Sequence, residues 1–167
     1  MDYPGRIVTI IGIAGSLLVL ASVFMVWVDY YTWADLVSGS LTGWDALTDG
    51  RWADLEDAVT EKDYHTLPGW LMGLSGVSAA MFIVGHAVKR PVAKIVAYII
   101  PILFGIALVI GIDKLLAQMG THYYVLHVDP GIGVWTALTA SIMVIGISIV
   151  STAHAAMMVR GRRNAQD

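Results

Sequence analysis

Residues 29–68, DYYTWADLVSGSLTGWDALTDGRWADLEDAVTEKDYHTLP, form the longest polar interval of this sequence. The interval holds nine of the thirteen acidic residues and three of the six tryptophans. On both sides of it the chain returns to apolar runs of about twenty residues, the length that an α-helix needs to cross the hydrocarbon core of a bilayer. The interval therefore predicts a long loop that membrane helices hold at one face of a bilayer.

Four apolar runs predict four membrane-spanning helices. Of the 167 residues, 57% are hydrophobic and 14% are charged, which is too apolar for a soluble domain of this size. We predict an all-α integral membrane protein, a four-transmembrane-helix bundle that forms a single domain over residues 1–167. The predicted spans are about 7–28, 69–88, 92–112 and 132–159, the third helix continuing to about Met119, and the external segments are 29–68 and 113–131.

A tryptophan motif occurs three times in the long first loop, as WADL at 33–36, WDAL at 44–47 and WADL at 52–55. Each copy places an aromatic residue and a leucine three positions apart, close to one face of a helical turn, with the acidic residue off that face. The motif predicts short amphipathic helices in this loop, lying on the membrane or on the mouth of the bundle.

The charges predict the orientation of the chain. The connection between the second and third spans has three basic residues and no acidic one, and the carboxy-terminal tail has three arginines, whereas the long loop is strongly acidic. Basic residues stay on the cytoplasmic side of a membrane. We therefore predict a plasma-membrane protein with both termini in the cytoplasm and with loops 29–68 and 113–131 outside. The basic residues of the connection are Lys89, Arg90 and Lys94.

The residue types exclude several kinds of chemistry. The chain has no cysteine, which excludes disulfides, thiolate metal sites and cysteine nucleophiles. The central halves of the spans contain no Asp, Glu, Lys or Arg, the residues that pumps and ion-coupled transporters place there. There is no Gly-rich phosphate loop, Gly-x-Ser-x-Gly or His-Glu-x-x-His motif, and no basic tract for nucleic acid. We predict no catalytic residues and no enzyme activity.

Histidines are the candidate ligands for a cofactor or a metal. His86 and His154 lie near the cytoplasmic ends of the second and fourth spans, where two imidazoles at similar depth could ligate a haem in a four-helix bundle. Alternatively, both are polar residues at the membrane interface that form hydrogen bonds with the backbone or with lipid headgroups. Outside, His122, His127 and Asp129 are candidate metal ligands, and a solvated loop is the alternative. We expect no cofactor otherwise.

The order of the segments resembles the claudin-like tetraspan architecture over nearly the whole chain: four spans, a long tryptophan-containing first external loop, a short cytoplasmic hairpin and a smaller second external loop. Gly43-Trp44 is similar to part of the Gly-Leu-Trp element of that family. The family places paired cysteines after this element, and this chain has none. We therefore expect the resemblance to stop at the layout and not to extend to an external β-sheet or a barrier function.

Three shorter motifs resemble small uncharacterised prokaryotic four-span membrane proteins. Trp27-Val28 ends the first span, Pro68-Gly69-Trp70-Leu71 opens the second, and Gly131-Ile132-Gly133-Val134-Trp135 opens the fourth. This resemblance implies a four-span fold and no particular activity.

The predicted function follows from two features: the predicted external loops are rich in aromatic residues, and the central halves of the spans contain no Asp, Glu, Lys or Arg. We predict a non-catalytic accessory or structural subunit of a larger membrane protein complex, in contact with the lipid bilayer and with other membrane subunits through its external aromatic and acidic loops. One alternative is a haem- or metal-binding membrane redox protein that uses His86 and His154 or the external histidines. The other is a self-assembling tetraspan, a homo-oligomer. The candidate partner-binding residues are Trp33, Trp44, Trp52, Tyr123 and Tyr124.

Overall fold

The computed structural model describes residues 3–32, 37–48, 66–119 and 126–164. Four of its helices, α1, α3, α4 and α5, are long and apolar enough to cross a membrane. In chain order the elements are α1 Tyr3–Ser22, β1 Val26–Thr32, β2 Val37–Thr42, α2 Gly43–Thr48, α3 Leu67–Ala87, α4 Pro91–Met119, β3 Leu126–Pro130 and α5 Ile132–Asn164.

The four long helices form a bundle in which each helix packs against two neighbours. Helices α1 and α4 both pack against α3 and α5. Small residues permit the close contacts: the Phe82 ring of α3 lies against Gly12 of α1, and Tyr98 of α4 lies where a Cβ at Gly85 of α3 would come within 2.5 Å of its ring. Because each aromatic side chain fills the space above a glycine, neighbouring backbones approach closely.

The two ends of the bundle differ. One end, here named the sheet end, holds the three strands, which follow α1 and precede α5. The other, the terminal end, holds the start of α1, the short connection 88–90 between α3 and α4, and the end of α5. Helix α4 reaches the sheet end without a break through Pro101, and it ends at Met119 as predicted.

The strands form one antiparallel sheet in the order β2-β1-β3. Asp29 of the central strand lies opposite Ser40 of β2 and Asp129 of β3, and all three residues are exposed. The adjacent position, Val28, lies opposite Leu41 and is buried. Side chains alternate between the two faces of a strand, so the sheet has a polar outward face and an apolar face toward the bundle.

The sheet corrects three predictions. The chain is not all-α: residues 26–32, 37–42 and 126–130 are strands, whereas short amphipathic helices at the tryptophan motifs were the only secondary structure predicted between the long helices. The first long helix ends at Ser22 rather than near residue 28. A sheet forms at this end of the bundle, where none was expected because the paired cysteines are absent. The physical reason is the run VWVDYYT at 26–32, whose β-branched and aromatic residues favour an extended strand and find partners on both sides.

The central copy of the tryptophan motif is helical, as predicted. It lies in α2, whose start is fixed by reciprocal bonds between Thr42 and Asp45: the Asp45 N–H donates to Thr42 Oγ1 over 3.1 Å, and the Thr42 N–H donates to Asp45 Oδ2 over 2.7 Å. This is a capping box, with aspartate as the acidic member. The copies at 33–36 and 52–55 lie outside the described residues.

One continuous core joins the sheet to the bundle. The apolar face of the sheet packs toward the ends of two long helices, β1 against α5 and β3 against α4. The core cluster therefore runs from the strands into the helices: it includes Trp27, Val28, Leu41, Val128, Leu71, Ile112, Leu115 and Val134. Because strands and helices share this core, the sheet is held in a fixed position on the bundle.

Candidate functional site

A cavity of about 200 Å³ lies at the terminal end of the bundle, partly open to its surroundings. All four long helices contribute to its wall. The polar side chains that line it are His86 from α3, Lys94 and Tyr98 from α4, and Ser151 and His154 from α5. The remaining wall is apolar and includes Val8 of α1 and Val150, Ala155 and Met158 of α5.

Helical spacing brings the polar groups of this cavity together. Lys94 and Tyr98 are four residues apart on α4, and Ser151 and His154 are three apart on α5, so each pair lies on one face of its helix. The Ser151 hydroxyl donates to the Ile147 carbonyl over 2.7 Å, which leaves its oxygen able to accept a hydrogen bond. The neighbouring helices α4 and α5 thus direct polar atoms into the same space.

The predicted histidine pair shares this cavity. His86 and His154 come from α3 and α5 and both line the wall, although both side chains are exposed. Sequence reasoning missed Lys94 and Tyr98 as members of the same site. The four-residue spacing of these two, beginning three residues after the start of α4, is the signal that would have placed them on one face at the depth of the histidines.

The candidate metal ligands that were predicted to lie outside the membrane are only partly brought together. His127 and Asp129 are two apart on β3 and point to the outward face, with His127 Nε2 3.0 Å from Asp129 Oδ2. His122 lies outside the described residues. Among residues 3–32, 37–48, 66–119 and 126–164, no three histidine or carboxylate side chains are grouped so that they could hold a metal ion.

One candidate partner-binding residue is visible. Trp44 in α2 is 42% exposed and stacks on the exposed ring of Phe24, with ring centroids 5.4 Å apart and planes inclined by 25°. The Trp44 N–H donates to the Val23 carbonyl over 2.8 Å, which ties the start of α2 to the end of α1. The other four candidates, Trp33, Trp52, Tyr123 and Tyr124, lie outside the described residues.

Trp27 joins the sheet to the helices. Sequence reasoning placed it in an interfacial belt, but its side chain is fully buried, and its indole N–H donates to the Ser22 carbonyl over 2.7 Å. Gly43 and Gly133 lie against the indole, where a Cβ on either would collide with it or approach it within 3.0 Å. The Gly131 N–H donates to the Trp27 carbonyl over 2.8 Å. The motifs Trp27-Val28, Gly43-Trp44 and Gly131-x-Gly133 therefore meet around one side chain.

No family model, curated protein or solved structure matches this chain. The likenesses to claudin-like and to small prokaryotic four-span proteins therefore remain resemblances of segment order and short motifs.

Proposed function

We propose that this chain is a non-catalytic membrane protein that acts as an accessory or structural subunit of a larger membrane protein complex. We place it in the plasma membrane, with the terminal end in the cytoplasm and the sheet end outside. The charges support this orientation, because the described charged residues of the terminal end are all basic, and Lys and Arg are enriched on the cytoplasmic side of membrane proteins. The basic residues are Arg6, Lys89, Arg90, Lys94 and Arg160.

The observation that carries the proposal is the sheet fixed on the bundle by Trp27 and the shared core. A surface whose shape is already set loses little conformational entropy when a partner binds. Its outward face offers polar groups such as Asp29 and Ser40, and the stacked pair of Phe24 and Trp44 lies at the same end. Aromatic residues are enriched at the centres of protein interfaces, although the membrane interface also attracts them.

Photo-crosslinking from defined positions tests this function. A benzophenone amino acid placed at Ser40, on the outward face of the sheet, is expected to give a discrete product with a second membrane protein in native membranes. The matched control is Ile149, which is 53% exposed on α5 and is expected to crosslink to no protein. No product from Ser40, or equal products from both positions, contradicts the proposal. A product that contains only this chain favours the self-assembling tetraspan.

A second candidate function, a haem-binding redox protein, rests on His86 and His154, which line one cavity, although its volume of about 200 Å³ would leave much of a haem outside it. Two histidine ligands give a haem an intense Soret absorption band that changes when either ligand is lost. Protein purified from native membranes is expected to show this band if the candidate is right, and the band is expected to disappear in both His86→Ala and His154→Ala. A featureless spectrum excludes haem as a resident group.

A further inference from the structure

The cavity at the terminal end combines the ammonium group of Lys94 with several hydrogen-bonding side chains. Lys94 carries the positive charge, and each of the two imidazoles, His86 and His154, offers at least one N–H donor in any protonation state. Tyr98 lies in the same wall, but its hydroxyl is hydrogen-bonded to Thr9, whose own hydroxyl donates to the Gly5 carbonyl. A cation next to N–H donors can form charge-assisted hydrogen bonds with an oxyanion such as phosphate.

The positive charge of Lys94 is not neutralised by the parts of the chain that the structure describes. No carboxylate is among the described side chains that line the cavity, and the described acidic residues, Asp29, Asp45, Asp113 and Asp129, belong to the sheet end or to the last two turns of α4 before it. The cavity therefore has a positive charge without a counter-ion from these residues, and a bound anion would supply one.

Two helices begin beside the cavity and add to this positive potential. The first N–H groups of an α-helix have no partner within the helix, and the amino-terminal end carries a partial positive charge. Gly5, in the first turn of α1, lines the cavity. Lys94 lies in the first turn of α4, which begins at Pro91. The two helix starts favour an anion near Lys94. The carboxy-terminal end of α3, whose last turn holds His86, opposes one, so Lys94 is the main source of positive potential.

The size and the wall of the cavity indicate which part of a ligand it holds. Its volume of about 200 Å³ lies below the roughly 300–1,000 Å³ of pockets that enclose a drug-sized ligand. A compact charged group fits such a space better than a large planar cofactor. The apolar wall continues on the outside of α5, where Val150 is 55% exposed and Met157 is 65% exposed.

We propose that this cavity binds a phosphate group, and that in the membrane this phosphate is the headgroup of an anionic phospholipid whose acyl chains lie along the apolar outer surface of α5. The charge of Lys94, the imidazoles and the two helix ends hold the phosphate, while the exposed aliphatic residues of α5 contact the chains. The lipid part of this proposal rests on the proposed membrane location, and the phosphate part does not.

Native mass spectrometry of the full chain in a mild detergent tests the proposal, with phosphatidylglycerol, phosphatidylcholine and inorganic phosphate as separate probes. We expect one phosphatidylglycerol molecule to be retained under activation that removes phosphatidylcholine. Lys94→Gln is expected to weaken phosphatidylglycerol binding about tenfold or more, because a charge-assisted contact is lost. Lys89→Gln is the matched control: it removes the same charge from an exposed residue of the adjacent connection and is expected to leave binding unchanged.

The outcomes separate the sources of the phosphate and the competing explanations. If Lys94→Gln and Lys89→Gln lose phosphatidylglycerol binding equally, the lipid is attracted to the basic end in general, and the proposed site is wrong. If inorganic phosphate displaces phosphatidylglycerol at a concentration similar to that of the lipid, the cavity is a phosphate site but the lipid assignment is wrong. Lys94→Arg is expected to restore most of the binding, which shows that loss in Lys94→Gln is not misfolding; failure of Lys94→Arg, with an unchanged far-ultraviolet circular dichroism spectrum, counts against the proposal. A Soret band in the same preparation would favour the haem candidate instead.

Discussion

At the residue scale, Trp27 explains why small residues stand where they do at the sheet end. The indole is the largest fully buried side chain of the described residues, and it lies between the end of α1 and the start of α5. It cannot move aside without breaking its bond to the Ser22 carbonyl, which also ends the first helix. The Trp27 ring therefore leaves no space for a Cβ at position 133, which explains the glycine there.

Gly133→Ala is expected to destabilise the protein. The new Cβ would overlap Trp27 Cδ1 and lie 2.9 Å from the Ser22 carbonyl oxygen, and neither can give way, because one is a buried ring and the other is backbone. Overpacking of this kind costs about 1–3 kcal/mol. The free energy of unfolding, measured by titration with a denaturing detergent in mixed micelles, gives the value.

Gly146→Ala is the control in the same helix. A Cβ at this position meets no described atom within 4 Å, so the only change is the higher helix propensity of alanine, which stabilises by up to about 1 kcal/mol. If both variants change stability in the same direction, the close contact between Gly133 and Trp27 does not determine this region.

At the element scale, the sheet is held by pairing and burial rather than by covalent links. The chain has no cysteine, and the central strand β1 is bonded along both edges, to β2 and to β3. Its register is determined by alternation, since a slip by one residue would turn Val28 outward and Asp29 into the core.

A pair of new cysteines tests this register. Asp29 and Asp129 lie directly opposite each other in neighbouring antiparallel strands, where Cα atoms are about 4.5–5.5 Å apart, within the range that a disulfide spans. The double variant Asp29→Cys with Asp129→Cys is expected to form an intramolecular disulfide under mild oxidation, seen as a mass loss of two hydrogens in the intact protein. The change also removes two facing negative charges, which oppose pairing.

The control moves one cysteine to the next position. In Asp29→Cys with Val128→Cys the two side chains point to opposite faces of the sheet, so we expect little or no disulfide. Equal oxidation of both double variants would mean that the strands do not keep this register.

Sequence reasoning predicted the helices of this fold better than the sheet. A long apolar run predicts its own structure, because a run of about twenty apolar residues is typical of a helix that crosses a membrane. The strand at 26–32 continues from an apolar run, which predicts that the helix extends through Val26-Trp27-Val28. What distinguishes it is pairing with residues about ten and a hundred positions away, and local composition does not contain that information.

The residues of the cavity could be predicted only in part, because the sequence shows which side chains share a helix face but not which helices meet. His86 and His154 stood out because histidines are rare in apolar spans, and their depth could be counted from the basic residues nearby. Lys94 was explained by topology alone, and only the packing of α4 between α3 and α5 shows that it faces the histidines. Spacing along one helix predicts which side chains share a face, but the partner of that face is a tertiary property.

At the scale of the whole molecule, two asymmetries coincide. The described basic residues are concentrated at the terminal end, and the described tryptophans lie at or near the sheet end: Trp27, Trp44, Trp70 and Trp135. Trp70 and Trp135, near the starts of α3 and α5, are 63% and 50% exposed, as expected of aromatic side chains at the interface between membrane and water. The basic terminal end is where the positive-inside rule places the cytoplasm.

The absence of native cysteine makes the proposed orientation directly measurable, since a single introduced cysteine is the one thiol in the chain. Ser40→Cys reports on the outward face of the sheet, and Gly161→Cys reports on the terminal end; both positions are exposed. A membrane-impermeant maleimide added to intact cells is expected to label Ser40→Cys only, because the lipid bilayer separates the other thiol from the reagent. Gly161→Cys is expected to react after the membrane is permeabilised, which shows that its thiol is accessible. Labelling of Gly161→Cys alone in intact cells would reverse the orientation: the sheet and any partner bound to it would lie in the cytoplasm, and the cavity at Lys94 would lie at the outer leaflet.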